Sequence, residues 1–147
     1  MEKFSELVEK NWSNAVFKAS YDIDKYISDV KNSLKSDNAE IRSAAIAVLN
    51  EANISEAHDQ IVNLIYDENY QVVEEVLEYL IDYCLPSDVN VLVEILKKKE
   101  HLFSVSSALN KIYQNRGPII DEEGPATKID EEISEWLEIL RNDGYIT

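Results

Sequence analysis

Two histidines, one cysteine and three glycines are the residues on which most enzymatic chemistry in this chain would have to rest. His58 and His101 have no second histidine or cysteine at ligand spacing, and both H-x-x-x-H and H-E-x-x-H are absent, so no zinc site is expected. His58, beside Asp59 at a helix start, reads as an ordinary surface or half-buried residue. Cys84 falls on an apolar helical stripe, which points to a buried structural thiol and away from a nucleophile. Gly117, Gly124 and Gly144 belong to no phosphate loop or nucleophile elbow. Asp121-Glu122-Glu123 and Asp130-Glu131-Glu132 have the charge to attract a divalent cation, but the EF-hand spacing is missing and runs of carboxylates usually face water. Neither a metal, a cofactor nor an enzymatic activity is expected.

What remains is charge. The formal net charge is −15, which repels phosphate backbones and anionic membranes and favours a cationic protein partner. Acidity that merely confers solubility is the plainer alternative. The charge is localised: residues 37–82 hold eleven acids against one base, Arg42, and residues 117–147 hold nine acids against Lys128 and Arg141. On the helix expected over 69–84, Gln71, Glu75, Glu78 and Asp82 follow one another at helical spacing with Glu74 beside them, and no lysine compensates. Tyr79 and Tyr83 flank this face, while Tyr66 and Tyr70 sit in the turn before it. Aromatic anchors ringed by like charge are a common interface composition. The alternative is that the tyrosines cover the core and the carboxylates are simply solvated. Lys97-Lys98-Lys99 reads as favourable charge at a helix C-terminus and not as a nucleic-acid patch.

The elements that must position these groups are helices. Apolar residues recur at helical spacing nearly everywhere, and no segment shows the alternation of a strand. Glycine and proline are scarce, three of each. Eight helices are expected: 2–18, 22–35, 38–52, 55–66, 69–84, 87–98, 101–115 and 127–142. Asp37 or Asn38, Ser55, and Ser87 or Asp88 are the candidate caps. Trp12 with Phe4, Leu7, Val8, Val16 and Phe17 is expected to close the N-terminal end over 1–20. Trp136 with Ile133, Leu137 and Leu140 is expected to close the other, within 116–147. The connection 116–126 carries Ile119 and Ile120 between Gly-Pro pairs. It is either a tucked-in plug, the favoured reading, or a partner-binding element.

Length and composition suit a single globular domain over 1–147, with 45% apolar and 29% charged residues. Met-Glu-Lys-Phe-Ser-Glu has no apolar signal core, and no stretch approaches the roughly 18 apolar residues of a membrane span, so a cytoplasmic location is expected. The glycosylation patterns at Asn11 and Asn53 are then chance matches.

A repeat organises the helices. Shifting the sequence by 31 residues places Ile41 on Val72, Ala45 on Val76, Leu49 on Leu80, Ile61 on Leu92 and Ile65 on Leu96, and the turn Asp37-Asn38 on Glu68-Asn69. Two helices per period is the signature of stacked helical hairpins. The run from Ser36 to Ala45, Asp37-Asn38-Ala39-Glu40-Ile41-Arg42-Ser43-Ala44-Ala45 with Leu49 following, resembles the D-x-x-x-[VI]-R-x-x-A-x-x-x-L core of HEAT-like repeats of the phycobilin-lyase type. Asp67-Glu68-Asn69-Tyr70-Gln71-Val72 resembles the start of the next copy, with Val73 in place of the family's arginine and Val76 in place of its alanine. The resemblance spans 22–115 and implies an all-α solenoid of about four antiparallel hairpins used for protein binding.

Two functions fit. One is a small acidic immunity or antitoxin protein, monomeric on its own, that neutralises a basic toxin domain such as a nuclease. The other is a HEAT-like scaffold or adaptor. The expected contact residues are Tyr66, Tyr70, Glu74, Glu75, Glu78, Tyr79, Asp82, Tyr83, Asp121, Glu122 and Glu123. The charge balance predicts that random duplex DNA at physiological salt is not retained in a gel shift at micromolar protein. A retarded band would contradict the electrostatic reading.

Overall fold

The structure, a computed structural model, describes residues 2–146. Among the described residues all regular secondary structure is helical: nine α-helices and two single-turn 3-10 segments. The expected all-helical class is the one observed. By its internal contacts the chain divides between Tyr79 and Leu80 into two compact units.

The first unit contains α1 (Phe4–Lys10), α2 (Trp12–Tyr21), α3 (Ile23–Ser33), α4 (Ala39–Glu51), α5 (His58–Asn63) with a 3-10 turn Leu64–Tyr66, and most of α6 (Tyr70–Tyr83). Helix α4 packs against α1, α2 and α3. It is accordingly apolar almost all round, burying Ile41, Ala44, Ala45, Ile46, Val48 and Leu49. Helix α2 buries only Ala15 and Ala19, small side chains that let its backbone lie close to its neighbours. Trp12 Nε1 donates to Ser43 Oγ at 3.1 Å, fixing the start of α2 on α4.

The single helix expected over 2–18 is two helices. Asn11 is extended, and its side chain accepts from Asn14 N–H at 2.9 Å, so it ends α1 and caps α2. A short polar side chain that can bond its own backbone competes with helix propagation, and here it wins. The helix expected over 55–66 starts only at His58, because no side chain caps it, and its last turn tightens to 3-10 geometry. The helix expected from 87 is preceded by a 3-10 turn Pro86–Asp88, in which Asp88 Oδ2 accepts from Leu85 N–H at 2.8 Å.

The repeat is visible in the caps. Asn38 Oδ1 accepts from Glu40 N–H at 2.9 Å. One period on, Asn69 Oδ1 accepts from Gln71 and Val72 N–H at 2.9 and 3.2 Å. Arg42 joins these two turns. Its Nε and Nη2 donate to the two carboxylate oxygens of Asp67 at 2.8 and 3.0 Å, and its Nη1 donates to the Ser36 carbonyl at 2.8 Å. Asp67 Oδ1 also accepts from Asn69 N–H at 2.9 Å. Burial works to raise the Asp67 pKa, but the Arg42 hydrogen bond, the Asn69 amide and the Arg42 charge outweigh it and hold the carboxyl below its ordinary range.

The second unit holds the end of α6, then α7 (Val89–Lys97), α8 (Leu102–Tyr113) and α9 (Ala126–Asn142). Helices α7 and α8 pack together. The connection between α8 and α9 is tucked in at one of its two isoleucines: Ile120 is fully buried and Ile119 is 44% exposed. Ile120 N–H donates to Ser106 Oγ at 3.0 Å, and the Asn110 amide bonds both the carbonyl and the N–H of Gly117. Trp136, buried as expected, donates from Nε1 to the Pro118 carbonyl at 2.6 Å and meets Tyr113 edge-on at 5.7 Å. A Cβ on Gly117 would lie 2.3 Å from the Trp136 ring, so only glycine fits there.

Removing the Arg42 clamp tests this description. The side chains are 18% and 8% exposed, so Asp67 would be left poorly hydrated. Arg42→Ala should lower stability by about 1.5–3 kcal/mol at neutral pH, the usual worth of hydrogen bonds to a charged group. Because the folded-state pKa of Asp67 is depressed, the stabilisation is present above the unfolded value near 3.8 and is lost as pH falls through the folded value. Urea titrations at pH 7 and pH 3 should therefore show the gap between wild type and variant narrowing on acidification.

Candidate functional site

Helix α6 begins in the Asn69 cap and presents the acidic face expected from the sequence. Glu78 and Asp82 are exposed, and Glu74 and Glu75 are half-buried. Burial pushes the Glu75 carboxyl up to about 7, and the neighbouring Glu78 and Glu74 charges push it the same way. The charges that act on Glu75 are thus both acidic. In the second unit Asp82 borders a shallow cleft of about 390 Å³ with Ile81, Ser107, Asn110, Lys111, Asn115 and Ile119.

The tyrosines divide. Tyr66 and Tyr70 are 67% and 69% exposed, as an interface reading requires. Tyr83 is half-buried. Tyr79 is not a surface residue at all: it is fully buried, its hydroxyl lies 2.9 Å from His58 Nδ1, and the two rings are 5.5 Å apart. The reason lies in the helical period, since Tyr79 stands three residues after Val76 and seven after Val72, both fully buried. It is therefore withdrawn as a contact residue and assigned to the core, with the half-buried His58 as its polar partner.

Asp121, Glu122 and Glu123 are all exposed, but two of them shape their own loop. Asp121 Oδ1 accepts from Glu123 N–H at 3.0 Å, and Glu122 Oε1 accepts from Phe103 N–H at 2.8 Å in the first turn of α8. Lys99, at the end of α7, pairs with Asp130 at 3.1 Å. Asp67 also leaves the count of free acids, since Arg42 neutralises it. Cys84 is 4% exposed, and burial, reinforced by the Asp88 charge, pushes its thiol up to about 12, as a structural thiol requires. Among the described residues, no group of three or more His, Cys, Asp or Glu is placed to hold a metal ion, and no helix is long and apolar enough to cross a membrane.

One surface was missed by reasoning from the sequence, which placed Phe17 in the closing core. Phe17 and Tyr21 of α2 are 73% and 81% exposed and stack on one another at 6.4 Å with 16° between their planes. The signal was present in the spacing: the α2 core positions are Ala15 and Ala19, and Phe17 and Tyr21 each lie two residues further, on the opposite side of the helix.

Helical hairpins repeated at a fixed period, capped by equivalent asparagines and joined by an arginine–aspartate clamp, define a helical repeat protein. Comparison with known families matches residues 27–109 to HEAT repeats, more than half of the chain, and the chain belongs to that family. HEAT repeats generally mediate protein–protein interaction. Comparison with curated proteins finds no match, and comparison with solved structures finds none.

Glu75 supplies the test of the acidic face. Its folded-state pKa is raised, so its contribution to stability is fully present below the ordinary value of 4.5 and is lost as pH rises toward about 7. Glu75→Gln should therefore raise the Tm at pH 8 relative to wild type, with the gain disappearing near pH 4. Calorimetry at both pH values reads the difference, and an equal effect at both would remove Glu75 from the electrostatic account.

Proposed function

We propose that this chain is a non-catalytic protein-binding module whose partner presents a basic surface, and that it serves as an immunity or antitoxin protein occupying the basic face of a toxin domain such as a nuclease. The observation that carries the reading is the acidic face of α6: a half-buried Glu75 whose carboxyl is pushed up to about 7 by burial and, after that, by the charges of Glu78 and Glu74. A lysine or arginine from a partner would relieve that repulsion and restore Glu75 to its charged form. Exposed Tyr66, in the 3-10 turn before the helix, and Tyr70, its first residue, provide rigid contact area beside the charge. The net charge of −15 would speed capture of a cationic partner by steering, the property that an inhibitor of a toxic enzyme needs most. In this reading the chain acts as a monomer in the cytoplasm. Membership of the HEAT family favours a second reading, a scaffold or adaptor subunit of another assembly.

Pull-down with mass spectrometry identifies the partner, and surface plasmon resonance then tests the face. Reversing Glu75, Glu78 and Asp82 to lysine should slow association at least ~10-fold at low salt and flatten its salt dependence. Binding should tighten between pH 5 and pH 7, because a cation beside Glu75 lowers its pKa and the complex forms with proton release. Stoichiometric inhibition of a partner's enzymatic activity selects the immunity reading, and a non-enzymatic partner selects the scaffold. Unchanged rates in the reversed variant would remove α6 from the interface.

A further inference from the structure

The first unit carries a second surface that the acidic face of α6 does not include. Phe17 and Tyr21 stand side by side on α2, nearly three-quarters or more exposed, in a chain with three phenylalanines and eight tyrosines. They border a cleft of about 340 Å³ whose other lining residues are Ser13, Val16, Ser20 and Glu51. The Ser20 hydroxyl is already committed to the Val16 carbonyl at 2.6 Å. Glu51, the last residue of α4, is exposed and brings the one formal charge to the lining. Lys18, the base of α2, lies within electrostatic reach of Glu2 and does not line the cleft.

Two parallel aromatic rings beside a carboxylate suit one kind of side chain. A guanidinium is planar, stacks on aromatic faces, is weakly hydrated, and offers a carboxylate two parallel N–H donors. An ammonium has the charge but not the plane, and an aliphatic group would leave Glu51 without a partner. The charge complementarity is local as well as global, since the cleft is lined by one acid and no base in a strongly acidic chain. We propose that Phe17, Tyr21 and Glu51 form a docking site for an arginine side chain of a protein partner. The proposal rests on the reading that the partner is basic, and it adds a contact on α2 and α4 to the one on α6.

The probe is N-acetyl-arginine amide, titrated into the full-length chain and followed by amide and aromatic NMR shifts, with the citrulline analogue as the neutral isostere. Arginine should give saturable shifts at Phe17, Tyr21 and Glu51 with a millimolar Kd, and citrulline should bind about 2–5-fold more weakly, in line with the worth of an exposed cation–π contact. Glu51→Gln and Tyr21→Ala should each weaken arginine binding by a similar factor while leaving the rest of the spectrum unchanged, because both side chains are exposed and their loss leaves no cavity. Equal binding of citrulline would mean that the positive charge plays no part and would overturn the proposal. Concentration-dependent shifts at Phe17 and Tyr21 without probe would mean a second copy of the chain and overturn it too. Arginine shifts confined to Glu75 and Glu78 would overturn this site while leaving the basic-partner reading standing. Shifts at neither place would count against both.

Discussion

The Arg42 guanidinium sits where three polar demands of the first unit meet. It satisfies the carbonyl of Ser36 in the turn before α4, it neutralises Asp67 in the turn before α6, and through Asp67 it holds Asn69, whose side chain caps α6. Ser36, Arg42 and Asp67 are partly buried, and each would cost free energy if left unpaired, whereas Asn69 is exposed. A bidentate pair also fixes direction, because the planar fork tolerates little rotation about the carboxylate. The contact ties the turn before α4 to the turn in which α6 begins. One period further on, Val73 and Lys98 occupy the positions of Arg42 and Asp67, so the residues of the clamp are not repeated.

Helix α6 has to meet two requirements with one sequence. Its stripe of Val72, Val76, Leu77, Tyr79 and Leu80 is fully buried, while its opposite side carries acids at i and i+4 with no intervening base. Packing supplies the stability, and the acids subtract from it. Half-burial of Glu75 increases the subtraction, because a carboxylate near an apolar surface is poorly hydrated and faces Glu78 and Glu74 besides. In the proposed reading a cationic partner would remove that cost.

In the second unit a different device does the ordering. The segment between α8 and α9 has no secondary structure of its own, so its backbone groups take partners from side chains of α8 and α9. Ser106 and Trp136 each supply one and Asn110 two, and Gly117 leaves the room that the Trp136 ring needs. Ile120 then completes the core and Ile119 stays outside beside the Asp82 cleft.

The all-helical class, the 31-residue period and the asparagine that opens each aligned copy were legible in the sequence alone. Helical periodicity and capping are set by residues within four positions of one another, and such short-range rules can be read without knowing the neighbours. The break at Asn11 belongs to the same short-range chemistry, although it competes there with an apolar pattern that continues through it. The tertiary structure decided what local rules leave open. On a helix whose apolar stripe is broad, whether Tyr79 or Tyr83 lies inside depends on what packs against it, and His58 took the Tyr79 hydroxyl. Whether Asp67 is a surface charge depends on an arginine 25 residues away. Whether Phe17 is core depends on which side of α2 meets α4, and the small side chains of Ala15 and Ala19 settled that by allowing close approach. Each of these outcomes turns on a contact distant in sequence, and burial and pairing exist only once that contact has formed.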